Sequence, residues 1–495
     1  MSQSRFLPLL RTELRLILRE RLTWAILAAL LAALCLAGHT GAQRVAGERA
    51  AIAQASDDAA RSLRDAKEAA ARYAVPRAMT VNYWQDPTHA FGYMHYFLAA
   101  YAVKPPTPLA VLSAGQSEIQ PAVMKTSFGF SSVFEDTAYE LGSAAALNLG
   151  PFDLAFVLIY LVPLAVIAIA GTRLAAEQDA GILRLIAAQP VHPRIVAGAK
   201  FGAAALILVA AVIGGTALAL ALAGWLDLPP GWATTVALLA AALCAYVVLW
   251  VAACALAASL WRGAVASLTI LVLTWACVTV VLPALLGLAV DKLAPPPSRI
   301  AAIDASRQVQ DAFYRGDEAA KVTAAWLTAR LPGTTDRPDL RETPQIKRLA
   351  RDAFYETTLA PYRAGMQARA EGAAAWSARL ALLSAATTLA LALDTAAGTD
   401  AARHAAFLAA ASEYRRSLRA FFEPRILAQE VRPAAVCAGC PARLDFDAYD
   451  AVPRFPTVIA ADAARWQAAL SALTLWGVAL ALAGLAFRRF AIWSV

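Results

Sequence analysis

Few residues in this chain have both the type and the spacing to do chemistry, and they fall in three places. Cys437-Ala-Gly-Cys440 is the one local cysteine pair. In a reducing compartment that spacing suits thiol exchange or a metal. In an oxidising one it more often closes a tight disulfide loop. Zinc wants four ligands and the pair offers two, so a disulfide between Cys437 and Cys440 is the leading reading, ahead of an exchangeable pair and a metal. His89 and His95 lie in an aromatic, turn-rich stretch, VNYWQDPTHAFGYMHYFLAAY. A separation of six does not place two side chains on one helix face. With no further ligand to add, packing or surface roles outweigh a metal site. The third place is Gly171 to Lys200, GTRLAAEQDAGILRLIAAQPVHPRIVAGAK. Its pattern predicts a short amphipathic helix from Arg173 to Ala188. Leu174, Ile182, Leu185 and Ile186 can face a membrane, and Glu177, Asp179 and Arg184 can face water. Pro190 and Pro193 then break the helix, and Lys200 anchors the next apolar run. The plain reading is an interfacial connector; the sharper one is a docking surface for a partner.

No other chemistry is evident. There is no GxxxxGK[ST] to cradle nucleotide phosphates, no HExxH and no GxSxG. The chain is therefore not expected to be an enzyme or to bind a cofactor or metal itself. Its 495 residues are 59% hydrophobic and 16% charged, against about 25% charged in ordinary soluble domains. The net charge is +8, but no basic patch is interleaved with aromatics, so nucleic acid is not the partner. Cys35, Cys244, Cys254 and Cys277 sit in apolar runs and read as small packing residues.

The elements that would position these residues are membrane spans. Runs of about 20 apolar residues mark transmembrane helices, and six occur: roughly 23–38, 152–172, 201–224, 232–260, 264–290 and 466–487. The arginines sit at their ends. Arg5, Arg11, Arg15, Arg19 and Arg21 precede the first; Arg173, Arg184, Arg194 and Lys200 lie between the second and third; Arg262 separates the fourth and fifth; Arg488 and Arg489 follow the sixth. By the positive-inside rule these sides are cytoplasmic. The expectation is thus an all-α, polytopic protein of a bacterial inner membrane with both termini inside. It comprises a cytoplasmic arm 1–22, a cytoplasmic loop 173–200 and a tail 488–495. Two large, mainly helical periplasmic segments occupy 39–151 and 291–465. The arm is amphipathic, with Phe6, Leu9, Leu10, Leu14, Ile17 and Leu18 set against Arg11, Arg15 and Arg19, as in a helix lying in the interface. An uncleaved anchor fits the first span better than a signal peptide. Leu380 to Leu393 is apolar but too short to span, and Asp394 follows it at once; it reads as a buried or membrane-surface helix. Outside the membrane, helices are expected at about 306–331, 343–359 and 405–422.

At this level the loop resembles that of ABC type-2 exporter permeases. The matching residues are Glu177, Gly181, Leu183, Leu185, Pro190, Gly198 and Lys200. Gly150 to Phe156 with Tyr160 and Pro163, Gly115 to Glu118 with Pro121 and Lys125, Gly398-Thr399-Asp400 and Pro453-Arg454-Phe455 are similar to one branch of that class. That branch carries two long external inserts and was catalogued as a domain of unknown function. The resemblance implies a coupling loop formed by Glu177, Asp179, Gly181, Leu183, Leu185, Pro190 and Lys200. It also implies a separate ATP-binding subunit holding ATP and magnesium, and a second permease copy or paralogue. A departure is Gln178-Asp179, where a second Glu or Arg is common. The function implied is substrate export or conformational work in the periplasm. The alternative is a membrane-anchored ligand-binding, sensor or scaffold protein.

Overall fold

The computed structural model describes residues 3–72, 81–115, 117, 120–126, 152–182, 189, 191–224, 228–261, 263–295, 298–314, 318–333, 337–432, 443–456 and 461–492. The protein is predominantly helical. An arm, α1 (Gln3–Arg19), turns at Glu20 into α2 (Arg21–Ala71). The apolar helices α3 (Leu154–Glu177), α4 (Pro193–Leu222), α5 (Trp232–Leu260) and α6 (Ala264–Leu293) come after it. Next are α7 (Arg299–Tyr314), α8 (Glu318–Arg330), α9 (Pro338–Glu342), α10 (Pro344–Ala381), α11 (Ala385–Ala397), α12 (Ala401–Val431), α13 (Phe446–Asp450) and α14 (Ala461–Ile492). Between α2 and α3, β1 (Tyr101–Val103) and β2 (Val123–Lys125) form a small antiparallel pair with Ala102 opposite Met124.

Six helices, α2 to α6 and α14, are long and apolar enough to cross a membrane. This makes the protein an all-α membrane protein apart from that one strand pair. The most apolar stretch of α3 is 72% buried and that of α6 only 17%, so α3 is the axial helix of the bundle and α6 lies at its edge. A helix apolar all round belongs inside, and α3 reads so: VLIYLVPLAVIAIA. It is not regular. A π-helical turn, Val157–Leu161, precedes Pro163. Proline brings no N–H to the carbonyls a turn before it. Tyr246 and Trp275 make up the loss, the hydroxyl donating to the Ile159 carbonyl at 2.9 Å and the indole to the Tyr160 carbonyl at 3.2 Å. The same device recurs in α6. A π turn, Cys277–Val281, stands before Pro283, and the Ser384 hydroxyl donates to the Val278 carbonyl at 2.9 Å. Ser384 opens α11, so this bond docks the short apolar helix on the bundle. Leu389, Ala392, Leu393 and Ala396 of α11 join the bundle's own core, which is why an apolar run too short to span is stable there.

Helix α2 changes character along its length. Its first half packs in the bundle: Gly38 sits so close to Ala219 of α4 that an added Cβ would stand 3.1 Å from that residue's Cβ. Small residues permit such approach where lipid offers no drive for helices to associate. Its second half reaches a separate core in which Ala66 and Ala70 meet Phe91, Tyr93, Trp326, Leu418 and Phe422. Residues of both long segments, 39–151 and 291–465, therefore bury against each other in one cluster. The helix expected over 306–331 is two, α7 and α8, with Gly316 in the sequence between them. The helix expected at 343–359 continues to Ala381, with Pro361 inside it.

Candidate functional site

Lys200 lies about two turns into α4 and is 4% exposed. A buried ammonium needs acceptors of opposite charge, and two are supplied. Glu13 of α1 offers Oε1 at 2.7 Å, and Glu177, in the last turn of α3, offers Oε1 at 2.6 Å. The other oxygen of Glu177, Oε2, is buried without a hydrogen bond among the described residues. Arg173, one turn earlier in α3, reaches Glu20 in the corner between α1 and α2 at 2.6 Å. Two ion bridges thus clasp the arm to the end of α3 and the start of α4. The arm's position is fixed by packing too. Gly202 leaves room for Leu10, and Gly198 for Phe6 and for Phe487 of α14.

Asp179 takes a different partner. Its Oδ2 accepts the Ala264 amide at 2.9 Å, at the exposed N-terminus of α6, where the first amides of a helix have no partners of their own. The amphipathic helix expected from Arg173 to Ala188 is interrupted within its described part. Its first segment stops at Asp179, Gly181 takes φ +75°, the left-handed conformation in which glycine commonly ends helices, and Ile182 is helical again. Leu183, Arg184, Leu185, Ile186 and Pro190 lie outside the described residues. Of the loop residues singled out by sequence, the structure therefore brings Glu177 and Lys200 into contact. It sends Asp179 to α6, and it adds Glu13, Glu20 and Arg173. Glu13 and Glu20 carried a signal that sequence reading passed over: they are the two acids of an otherwise basic arm.

The opposite end of the bundle holds a second polar junction. Described residues of Gly115 to Lys125, Phe152-Asp153 and Gly398-Thr399-Asp400 contribute to it, and Gly115 abuts Thr399 so closely that a Cβ would stand 2.5 Å from its Oγ1. Asp153 caps α3 by accepting the Phe156 amide at 2.7 Å and also accepts the Ala114 amide at 2.7 Å. Asp394 of α11 accepts the Ser113 hydroxyl at 2.5 Å. Burial pushes its carboxyl up to about 6, and the Ser113 hydroxyl holds it down. Arg403 of α12 donates to the Gly398 carbonyl at 2.9 Å and the Pro105 carbonyl at 2.6 Å. Arg44 of α2 donates to the Ala110 carbonyl at 2.5 Å and the Ser113 carbonyl at 3.1 Å, and pairs with Glu48 at 2.6 Å. Phe455 packs edge-on against Phe407 and Tyr414.

The histidines do not converge on a metal. His89 accepts the Gly92 amide at 3.4 Å and faces Glu430 at 3.3 Å; His95 stacks on Phe91 with ring centroids 4.0 Å apart. Among the described residues no group of three or more His, Cys, Asp or Glu is placed to hold a metal ion. Cys437 and Cys440 lie outside the described residues.

A family described as Domain of unknown function (DUF3526) matches residues 299–442, from α7 to just beyond α12. The match covers most of the second long segment and none of the Lys200 cluster. No curated protein and no solved structure matches the chain.

Proposed function

We propose that the chain is the membrane-spanning permease subunit of an ABC transporter, driven by a separate ATP-binding subunit. The observation that carries this reading is the ion cluster at Lys200. One buried lysine joins the arm, the end of α3 and the start of α4, and Asp179, two residues from Glu177, holds the start of α6. A force applied to the loop between α3 and α4 would reach all of these elements at once. That is the wiring a coupling loop requires, because a two-state element must be biased from the effector site.

In this reading the arm end is cytoplasmic and the six apolar helices all span the inner membrane of a bacterium. The two long segments stand in the periplasm. The partner subunits bind ATP and magnesium, and closure of two such subunits presses on the loop from Glu177 to Pro190. Glu177 then shifts against Lys200, and the arm, α3 and α4 move together. A second permease copy or paralogue completes the assembly. The work done is export of a substrate or rearrangement of the periplasmic segments, which share one core and would move as a unit.

The test is a mild-detergent pull-down of the tagged chain from its host. A stoichiometric partner carrying a P-loop supports the reading. Its absence across several detergents favours the membrane-anchored ligand-binding alternative. In the assembled complex, Glu177→Lys places a cation beside Lys200. It should abolish the dependence of ATP hydrolysis on the permease while membrane insertion persists; unchanged coupling would remove the loop from the mechanism.

A further inference from the structure

Three contacts fix how α10 runs along α6. Arg369 of α10 pairs with Asp291, near the end of α6, at 2.8 Å. Gly372 lies beside Ala294, where an added Cβ would stand 3.7 Å from that residue's Cβ. Ser384, just past the other end of α10, donates to the Val278 carbonyl at 2.9 Å. The two helices are therefore antiparallel neighbours. From Ala264 to Val290, α6 carries no Lys, Arg, Asp or Glu. Asp291 and Lys292 thus mark where it meets water. Val278 stands about 20 Å inward of that mark, at about 1.5 Å per residue. A corner at that depth lies within a hydrocarbon core about 30 Å thick.

The corner between α10 and α11 is built for such a place. Turns that face water favour Gly, Pro, Asn, Asp and Ser. Here Leu382 and Leu383 stand exposed, Leu383 by 64%. Leu285 and Leu288, between the same contacts on α6, are exposed too, so the corner continues an apolar belt. Backbone groups freed at a helix end find no water in hydrocarbon and must be met by protein, often by Ser and Thr hydroxyls. Thr387 donates to the Ala381 and Ser384 carbonyls at 2.8 and 3.0 Å, and Thr388 to the same two at 2.8 and 2.9 Å. Arg379, about one turn outward of the corner, folds over the Trp376 ring, 5.1 Å from its centroid. A long cation can leave its stem in hydrocarbon and lift its head toward the surface, and tryptophan is enriched at that level. Helix α11 then leads back out. The Ser471 hydroxyl of α14 donates to the Thr388 carbonyl at 3.1 Å, and Asp394, nearer the end of α11, reaches Ser113 in the far junction.

We propose that the last turns of α10 and the whole of α11 form a re-entrant hairpin. It enters the leaflet at the far end of the bundle, presents Leu382 and Leu383 to phospholipid acyl chains, and leaves on the side it entered. The hairpin rests on α6 crossing the bilayer and is independent of any ATP-binding partner.

The experiment uses the full-length chain in phospholipid vesicles, with the photoreactive residue benzoylphenylalanine replacing one exposed side chain at a time. On irradiation, position 383 should form adducts with lipid acyl chains, as should position 273, exposed on α6. Position 328, exposed on α8, should form none. Position 382 serves if the variant at 383 does not insert. Lipid adducts at 273 with none at the corner would overturn the hairpin while leaving α6 a span. Adducts between two chains in place of lipid adducts would put a second copy over the corner and overturn it as well. No lipid adduct at either position would remove the span itself, and the hairpin with it.

Discussion

The two ends of the bundle treat buried charge in opposite ways. At the arm end charge meets charge. Lys200 is met by Glu13 and Glu177, and Arg173 by Glu20. At the far end charge mostly meets dipoles: Asp394 a hydroxyl, Asp153 two amides and Arg403 two carbonyls. Among the described residues there, the pair of Arg44 with Glu48 breaks the pattern. The difference has a mechanical meaning. Ion pairs between elements, with Glu177 and Glu20 part-exposed, can exchange one partner for another or for water, so the arm end suits rearrangement. Single charges fixed by backbone groups of several loops have no second partner to move to. The far end is therefore a weld, and the arm end a clasp.

The comparison can be broken most forcefully at Lys200. Lys200→Met leaves Glu13 and Glu177 without their cation in a buried place. Removing one partner of a buried pair costs about 3–5 kcal/mol. Thermal unfolding in detergent should drop accordingly, and the arm should become the first site of proteolysis. Glu13→Gln should cost less, since Glu177 still serves the lysine. If Lys200→Met unfolds like wild type, the clasp is not stabilising and the contrast collapses.

A smaller effect separates the ends by pH. Asp394 titrates at about 6 in the folded chain, above its ordinary 3.8. An acid raised on folding contributes stability that is fully present below about 3.8 and is lost as pH rises through about 6. The loss is on the order of 3 kcal/mol at 1.36 kcal/mol per unit. Wild type should therefore lose stability from about pH 4 to pH 6 relative to Asp394→Asn; parallel curves would show that Asp394 is not buried as a weld requires.

The smallest effect tests the middle of the bundle, where neither device is used. Tyr246→Phe removes the donor to the Ile159 carbonyl. Interhelical hydrogen bonds in membranes average about 0.6 kcal/mol and reach about 1.7. The variant should melt only slightly earlier; a loss as large as that of Lys200→Met would place the critical contact at the π turn of α3 and not at the clasp.

How much of this was legible in the sequence depends on the range of each interaction. The six apolar runs could be read because a membrane-length helix is a local property of about 20 consecutive residues, and each lies in one of the six long apolar helices. Glu177 and Lys200 stood out individually, by type and place. Their contact did not, because it depends on how the chain turns at Gly181 between them. Glu13 was hidden for the same reason: only the docking of α1 along α4 brings it to Lys200.

The sequence by itself determined that the protein is helical and membrane-embedded. Apolar length and composition decide that whatever the partners are. It also marked where α2 passes from apolar to charged, and that Leu380 to Leu393 is too short to span. Only the tertiary structure decided that α3 is the axial helix, because an all-apolar surface looks the same facing lipid or protein until neighbours surround it. Tertiary packing likewise merged two long segments into one core, and it set the corner between α10 and α11 beside Val278 of α6. Those outcomes rest on contacts between residues tens to hundreds of positions apart, and no local pattern encodes them.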